Sequence, residues 1–224
     1  TASSTPNNNN KGDDDIFKEN NLLRKKVLNH IRESEYKLII NISSFSVYGK
    51  ITNSFVYPTH QTLPISLYGL SKLISEKQIS LASEFSSISN LLHLRLPGII
   101  SKESKGIFIT KLIKKIKENK PINVKSENSL FNNSTTCQDI ANTIINFVES
   151  YQNLPKEIII NMCSKDQLKL QEIIIHLSKQ LNKKVPEIIS DKNISTFLIK
   201  NKEEYNILKN SLLKEMFNEI LEVC

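Results

Sequence analysis

The chain has 224 residues, of which 39% are hydrophobic and 24% charged, and its formal net charge is +7. This composition supports a folded core and excludes a wholly disordered chain, while the basic balance suits an anionic small ligand. No apolar run approaches the roughly 18 residues that a membrane-spanning helix needs. The three cysteines, Cys137, Cys163 and Cys224, lack the spacing of a disulfide scaffold or zinc cluster, so we predict no metal site.

The first hundred residues alternate between helical and strand patterns. Apolar residues recur at four-residue spacing in the helical stretches, and the strand stretches are continuous apolar runs of the kind buried on both faces of a parallel sheet. In chain order, the patterns predict a helix from about 13 to 34, a strand at about 37–43, a loop over 49–64, a helix from about 67 to 85 and a strand at about 91–97. This order is typical of a parallel α/β sheet.

The second half has shorter elements. The same spacing rules predict helices around 109–116, 140–148, 170–181 and 212–220, with a strand formed by EIIINMC at 157–163. In the first of these helices, lysines at 111, 114, 115 and 117 alternate with apolar residues. This alternation indicates an amphipathic surface helix with lysines on its outer face.

Tyr68 and Lys72 are one helical turn apart at the start of the second predicted helix. A lysine ammonium beside a phenol favours the phenolate, which would lower the pKa of the tyrosine toward the range of a general acid/base. Spacing alone decides nothing, because six tyrosines and thirty basic residues make such a pair expected by chance. Tyr205 and Lys209 form a second one.

The context of the two pairs differs. The predicted strand at 37–43 runs directly into Ser44, which places that hydroxyl at the carboxyl end of a parallel strand, where ligands of open α/β sheets bind. A segment that is mostly loop connects this strand end to Tyr68. The helix that carries Tyr68 is followed by the next predicted strand, which ends at Pro97. Tyr205 has charged neighbours in a terminal segment, so its pair indicates a solvated helix face.

Three segments carry a resemblance to a known family: ISSFSVYG, SLYGLSKLISEK and LHLRLPGII. They resemble the extended short-chain dehydrogenase/reductases, the NAD-dependent sugar-nucleotide epimerases and dehydratases. FKENNLLRKKVL is similar to the family helix whose asparagine approaches the active site, and TASSTP to the end of the strand beside the cofactor. TTCQDIANTI is similar to a later segment in which Cys137 stands where a histidine is common.

The resemblance implies roles for single residues. Tyr68 would be the catalytic acid/base, and Lys72 would tune it and bind the nicotinamide ribose. Ser44 would form a hydrogen bond with the hydroxyl or carbonyl at the reacting sugar carbon. The residues that would border the cofactor, mostly through backbone or packing contacts, are Ala2, Asn21 and Leu96.

The resemblance also implies an architecture and partners. We expect a partial Rossmann-like parallel sheet with flanking helices and a smaller carboxy-terminal lobe. Residues 1–100 would be the remainder of a dinucleotide-binding domain, and 101–224 mostly a substrate-binding lobe that returns in part to the first domain. NAD or NADP would be the cofactor and a nucleotide sugar the substrate. The protein would be a cytoplasmic homodimer that pairs the helices around Val27 and Ile74.

The sequence departs from the family in two places. It contains no Gly-x-x-Gly-x-x-Gly turn, the element that cradles the pyrophosphate, so we expect either a fragment of an enzyme or a shortened relative, and an inactive chain in isolation. The dehydratases carry Asp-Glu beside the catalytic hydroxyl, where this chain has Phe45 and Ser46. Dehydration is therefore disfavoured, and epimerisation and 4-keto-sugar reduction both stay open.

The sequence is also compatible with two other classes of function. A non-catalytic binding or regulatory member could keep the three site residues by descent, and failure of the full-length protein to bind nicotinamide cofactor would favour it. A nucleic-acid binder would use the lysines at 111–117, but no aromatic stacking platform interleaves them. We therefore predict no nucleic-acid partner.

Overall fold

A computed structural model describes residues 12–33, 35–194, 196–201 and 206–221. Ala2, Tyr205 and Cys224, all discussed above, lie outside this part of the chain. The described α-helices are α1 (Asp13–Glu33), α2 (Leu67–Glu84), α3 (Phe108–Lys117), α4 (Cys137–Ser150), α5 (Leu170–Gln180) and α6 (Leu213–Leu221). The described strands are β1 (Leu38–Ser44), β2 (Phe55–Val56), β3 (Asn90–Leu96), β4 (Gly98–Ile100), β5 (Ile122–Val124), β6 (Leu130–Phe131), β7 (Ser134–Thr136), β8 (Glu157–Asn161), β9 (Leu168–Lys169), β10 (Ile188–Ser190) and β11 (Leu198–Ile199).

The main sheet is parallel and has the order β1-β3-β8. β1 and β3 pair along their whole length, from Leu38 opposite Asn90 to Ser44 opposite Leu96. β8 pairs with the other edge of β3, so the second half of the chain also contributes to this sheet. The predicted parallel pairing of the first two strands is confirmed, with their ends displaced by one residue.

Helices cover both faces of the sheet. On one face, α1 and α2 place Ile31 and Ile79 against Leu91 of β3. On the other face, Phe147 of α4 packs against Leu92 and the neighbouring strand residues. Successive side chains of β3 point to opposite faces, so Leu91 and Leu92 are buried on opposite sides of the sheet, and the polar side chains of His93 and Arg95 are buried as well. The chain therefore has an α/β fold with a parallel sheet flanked by helices.

A separate core lies among the helices of the second half. Ile113 of α3, Ile173 of α5 and Phe217 of α6 are buried together in it. Short strand pairs surround this core, and β4 pairs parallel with β7 directly after the carboxyl end of β3. In α3, the buried apolar residues all lie on one face, which confirms the predicted amphipathic helix.

One sequence expectation needs correction. The segment predicted as loop contains β2, whose Phe55 and Val56 pair with β11, a partner too distant in the chain to be predicted from local pattern.

The inward face of α2 is polar. The apolar residue Leu81 of this helix and Phe85, directly after its end, are 56% and 88% exposed. Within the described residues, no helix has the length and apolar character that crossing a membrane requires.

Candidate active site

Ser44 is held at the junction between β1 and a short 3₁₀ turn, Phe45–Tyr48. As the N-cap of that turn, its Oγ accepts a hydrogen bond from the Ser46 backbone N–H at 3.2 Å and donates one to the Ser46 hydroxyl at 3.2 Å. The turn ends at Gly49, whose φ of 66° is a conformation that favours glycine. The hydroxyl of Ser44 is therefore fixed at the carboxyl end of a parallel strand, and the residue is only 8% exposed.

The first turn of α2 lies against that 3₁₀ turn. Ser66 caps the helix by accepting a hydrogen bond from the Gly69 backbone N–H at 3.1 Å. A Cβ at position 69 would lie only 2.5 Å from the carbonyl oxygen of Ser46, so only glycine allows the two segments to approach this closely. As a result, the Tyr68 side chain comes near enough to Ser44 for that hydroxyl to favour the phenolate.

Lys72 follows Tyr68 by one helical turn and is 8% exposed. Its Nζ donates a hydrogen bond to the Ile42 carbonyl at 3.0 Å and lies 5.8 Å from the centre of the Tyr68 ring. Burial lowers the pKa of Lys72 from 10.5 to about 8, although the nearby charge of Glu76 opposes this shift. The amine is therefore mostly protonated at pH 7 and loses its charge a little above that pH.

The sequence predicted a lowered pKa for Tyr68, and the structure contradicts this prediction. Burial raises the pKa of this phenol, and the nearby Ser44 hydroxyl only partly offsets the effect. Desolvation disfavours the phenolate more than the neighbouring hydroxyl stabilises it. Tyr68 is consequently protonated at neutral pH, which is the state of a general acid.

The three residues expected to border the cofactor have different positions. Leu96 lies beside Ser44 in the register of β1 and β3, at the same edge of the sheet. Asn21 accepts a hydrogen bond from Arg24 at 2.5 Å and, within the described part of the chain, is not joined to the Ser44–Tyr68 pair by a hydrogen bond. Its neighbour Asn20 donates a hydrogen bond to the Ser71 hydroxyl of α2 at 3.2 Å. Ala2 lies outside the described residues.

A buried ion pair beside the site escaped the sequence reasoning. Glu76, one turn beyond Lys72, accepts two hydrogen bonds from the Arg95 guanidinium of β3, at 3.0 and 2.7 Å, and one from the Ser43 hydroxyl at 2.5 Å. Burial lowers the pKa of Arg95, but its bonds to Glu76 outweigh this and raise it overall. An available signal was the position of Arg95 in the leucine-rich strand LLHLRL, because a charged side chain in a buried strand needs a partner.

The ion pair continues into a polar network across the ends of the strands. Arg95 also donates to the Tyr48 hydroxyl at 2.7 Å, and that hydroxyl donates to the Asn161 side chain of β8 at 2.8 Å. The Asn161 backbone in turn exchanges two hydrogen bonds with the side chain of Asn201. This network ties the turn after β1 to both other strands of the sheet.

An apolar cavity of about 330 Å³ lies in the second half of the chain. Phe108 and Phe131 line it and pack against each other, with their ring centres 5.1 Å apart. Phe197, another lining residue, stacks on Phe45 at 5.7 Å, and Phe45 directly follows Ser44 in the chain. This stack connects the cavity lining to the turn that carries Ser44, and the aromatic side chains offer a surface for a planar ring.

The fold is similar to that of solved sugar-nucleotide epimerases. UDP-glucuronic acid 4-epimerase from Bacillus cereus in complex with NAD matches with a TM-score of 0.75 at 19% identity, over 96% of this chain and 70% of that one. A UDP-galactose 4-epimerase matches with a TM-score of 0.74 at 15% identity, over 99% and 75%. UDP-N-acetylglucosamine 4-epimerase from Methanobrevibacter ruminantium M1 matches with a TM-score of 0.75 at 18% identity, over 93% and 69%. At these identities the likeness concerns the fold.

By sequence, no curated protein matches the chain significantly. The family model described as the NAD dependent epimerase/dehydratase family matches residues 1–163, which is well over half of the chain. That stretch contains the Ser44 turn, the Tyr68–Lys72 helix and the Glu76–Arg95 pair. The chain therefore belongs to the NAD-dependent epimerase/dehydratase family, the extended short-chain dehydrogenase/reductases.

Proposed function

We propose that this chain carries the acid/base half of an NAD(P)-dependent active site that epimerises a nucleotide sugar or reduces its 4-keto form. The observation that carries the proposal is the placement of Ser44 at the carboxyl end of a parallel strand, with Tyr68 and Lys72 one helical turn apart in α2 and Lys72 bonded to that strand. The alternative is a non-catalytic binding or regulatory member of the same family.

Each of the three side chains has a separate role in this chemistry. Ser44, whose own hydroxyl is already oriented by the 3₁₀ turn, holds the reacting sugar oxygen against Tyr68. Tyr68 carries a proton at neutral pH and delivers it to that oxygen, or takes it back in the reverse direction. The ammonium of Lys72 lies beside the phenol and stabilises the phenolate that forms. A bound nicotinamide supplies hydride transfer at the sugar carbon.

The donor set fits the nicotinamide ribose half of such a cofactor. The amine of Lys72 and the hydroxyl of Tyr68 are adjacent hydrogen-bond donors that two ribose hydroxyls could accept from, and Leu96 supplies an apolar wall at the same edge. We propose that Asn21 and Ala2 also border the cofactor. The choice between NAD and NADP stays open, because the two cofactors differ at the adenosine ribose, which none of these side chains is proposed to contact.

For the substrate, we propose a nucleotide sugar whose base occupies the cavity lined by Phe108, Phe131 and Phe197. A planar base is stabilised by contact with aromatic rings, and the net charge of +7 suits a diphosphate. The sugar would then extend toward Ser44, past the stacked Phe45. Three relatives of similar fold are named for UDP-sugars, which is consistent with this substrate class.

We further propose the two domains expected from the sequence. Residues 1–100 would form the remainder of a dinucleotide-binding domain, and residues 101–224 would form mostly a substrate-binding lobe. β8 would be the part of that second segment that returns to the first domain. The exposed apolar residues of α2, including Leu70, Leu81 and Phe85, support a homodimer that pairs this helix and α1 with their counterparts. A cytoplasmic location stays a prediction.

Calorimetric titration of the 224-residue chain with UDP-galactose and UDP-glucuronic acid tests the substrate assignment. We expect saturable binding that Phe108→Ala weakens about 10-fold or more, because an aromatic contact of this kind contributes roughly 1–3 kcal/mol. Phe85→Ala, at an 88% exposed position away from the cavity, is the matched control and should bind normally. A folded chain that binds no nucleoside diphosphate at millimolar concentration would contradict the proposal. Binding without turnover in an enzyme that also holds NAD would favour the non-catalytic alternative.

A further inference from the structure

The 3₁₀ turn Phe45–Tyr48 is held at both of its ends by one buried ion pair. Just before the turn, the Ser43 hydroxyl donates a hydrogen bond to Glu76 Oε1 at 2.5 Å. At the last residue of the turn, the Tyr48 hydroxyl accepts a hydrogen bond from Arg95 Nη1 at 2.7 Å. Glu76 and Arg95 are joined to each other by two hydrogen bonds, at 3.0 and 2.7 Å. A single ion pair therefore bonds the residue before the turn and the residue that ends it.

The two charged residues belong to elements on either side of the turn. Glu76 is in α2, about two helical turns beyond Tyr68. Arg95 is in β3, opposite Ser43 in the pairing of that strand with β1. Both charged residues are 2% exposed, so water does not compete for their hydrogen bonds. The orientation of the turn is thereby coupled to the position of the helix that carries Tyr68.

The same turn is in close backbone contact with the start of α2. Gly69, next to Tyr68, lies so near the Ser46 carbonyl that a Cβ there would be 2.5 Å from the oxygen. Gly49, directly after the turn, is packed in a similar way against the Leu63 carbonyl, in the segment that leads into α2. Contacts of this kind limit how closely two segments approach, but they do not fix a direction as a hydrogen bond does.

Stability alone does not account for the ion pair. Two buried charges lose their hydration, and well-packed apolar residues in their place are often equally stabilising or more so. Apolar residues could not, however, form directional bonds to the hydroxyls of Ser43 and Tyr48. These two bonds are what the pair contributes beyond packing.

We propose that Glu76 and Arg95 are positioning residues that hold the 3₁₀ turn, and with it Ser44, in a fixed orientation toward Tyr68. The inference rests on the proposed function in giving Ser44 and Tyr68 a joint role, but the orientation itself is measured without ligand or turnover. Loss of one hydroxyl bond leaves the turn held at its other end. Loss of both should allow the turn to rotate against α2.

The test is an NMR measurement on the full 224-residue chain, labelled with ¹³C only in its five glycines. Gly69 is remote in sequence from both hydroxyls that hold the turn, and its signal reports the contact of α2 with the Ser46 carbonyl. Gly12 and Gly106 are internal references for changes that affect the whole chain. A displaced Gly69 signal with unmoved references therefore measures a movement of the turn against α2.

Ser43→Ala and Tyr48→Phe each remove one of the two hydroxyls and leave the Glu76–Arg95 pair in place. The Arg95 guanidinium also lies 4.9 Å from the centre of the Tyr48 ring, a contact that phenylalanine keeps. We expect a small displacement of the Gly69 signal in each single variant, and a displacement larger than their sum in the double variant. A role in stability alone would lower the unfolding free energy without moving this signal in the folded chain.

Two further variants separate positioning from loss of stability. Ser43→Thr keeps a hydroxyl, so Ser43→Thr/Tyr48→Phe should have the Gly69 signal of Tyr48→Phe alone. Asn161→Ala removes another side chain bonded to the Tyr48 hydroxyl, and should lower the unfolding free energy while leaving the Gly69 signal in place. An unchanged Gly69 signal in the folded double variant, or in both single variants if the double variant does not fold, would overturn the inference.

Kinetics provide a second measurement, in an enzyme completed with a glycine-rich dinucleotide-binding segment. The variant Ser43→Ala/Tyr48→Phe should lose about 10²-fold in kcat with little change in the KM for the nucleotide sugar, because misplaced reacting groups slow the chemical step more than they weaken binding. Absence of turnover in the unaltered enzyme would count against the proposed function, whereas an unmoved Gly69 signal counts against this inference.

Discussion

The Lys72 ammonium donates a hydrogen bond at 3.0 Å to the carbonyl of Ile42, the β1 residue two positions before Ser44. This bond connects the helix that carries Tyr68 to the strand that carries Ser44. All three functional groups are thereby fixed in relation to one another before any ligand arrives. Such fixed orientation is what lowers the entropic part of a reaction barrier.

Replacing Tyr68 by phenylalanine keeps the ring and its packing but removes the proton-carrying hydroxyl. In a catalytically complete enzyme, one that joins this chain to a glycine-rich dinucleotide-binding segment, we expect kcat to fall by about 10²–10⁴-fold while cofactor affinity barely changes. Steady-state kinetics and cofactor titration measure the two effects. Tyr205→Phe, at the other Tyr-x-x-x-Lys pair, should be nearly silent, and equal losses at both positions would mean that the wrong tyrosine was assigned.

Lys72→Met should stabilise the fold at neutral pH. The pKa of Lys72 is lowered by burial from 10.5 to about 8, so the unfolded chain binds more protons than the folded one between those two values. Stability of the unaltered chain therefore rises with pH across that window, and below pH 8 the buried charge costs about 3 kcal/mol. Urea unfolding should show Lys72→Met more stable by about 2–3 kcal/mol at pH 7 and by less than about 1 kcal/mol at pH 10. A gain that does not shrink with rising pH would contradict the assignment of Lys72 as a buried cation.

Gly69→Ala tests the close approach of α2 to the turn after β1. The added Cβ would lie 2.5 Å from the Ser46 carbonyl oxygen, which is backbone and cannot rotate away. We expect a loss of about 1–3 kcal/mol in unfolding free energy despite the better helix propensity of alanine, together with reduced turnover because Tyr68 moves away from Ser44. Gly12→Ala, where nothing lies within 4 Å of the new Cβ, should leave the unfolding free energy nearly unchanged.

The 224-residue polypeptide, produced by itself, should show no saturable NAD(H) binding by calorimetry at millimolar cofactor. Pyrophosphate binding depends on backbone N–H groups at a helix start reached through a glycine-rich turn, and the sequence contains no Gly-x-x-Gly-x-x-Gly. Loss of cofactor positioning removes roughly 7–11 kcal/mol of barrier lowering, which abolishes turnover. Nucleotide-sugar binding in the same sample serves as the control for a folded site. Addition of a segment with a strand and a glycine-rich turn, fused to the chain or as a separate polypeptide, should restore cofactor binding. Tight NAD(H) binding by the chain alone would reveal a phosphate site of another kind.

Local patterns were enough to locate the helices and the central strands, because a leucine-rich run such as LLHLRL and a four-residue apolar spacing are properties of neighbouring residues. The order of the predicted strands and helices was then enough to predict that Ser44 lies at the carboxyl edge of the sheet, near Tyr68. The Glu76–Arg95 pair was missed because it is a contact between a helix and a strand, and the sequence shows only that Arg95 needs some partner.

The sequence also did not show which face of α2 points inward. Lys72 and Glu76 are buried on that face, whereas the apolar residue Leu81 is exposed. The raised pKa of Tyr68 likewise depends on how much of the phenol is removed from water, which is a property of the assembled fold.

The parallel pairing of β3 with β8 has a consequence for how the chain is made. Leu91 meets Glu157 only after the whole of residues 97–156 has been synthesised and has looped back to the sheet. During synthesis, the edge of β3 that will pair with β8 is therefore unpaired. The apolar face of the sheet that will contact Phe147 is also exposed at that stage. A polypeptide cut near residue 100 would remain in that state permanently, so expression of the first segment alone should give aggregates rather than a folded domain.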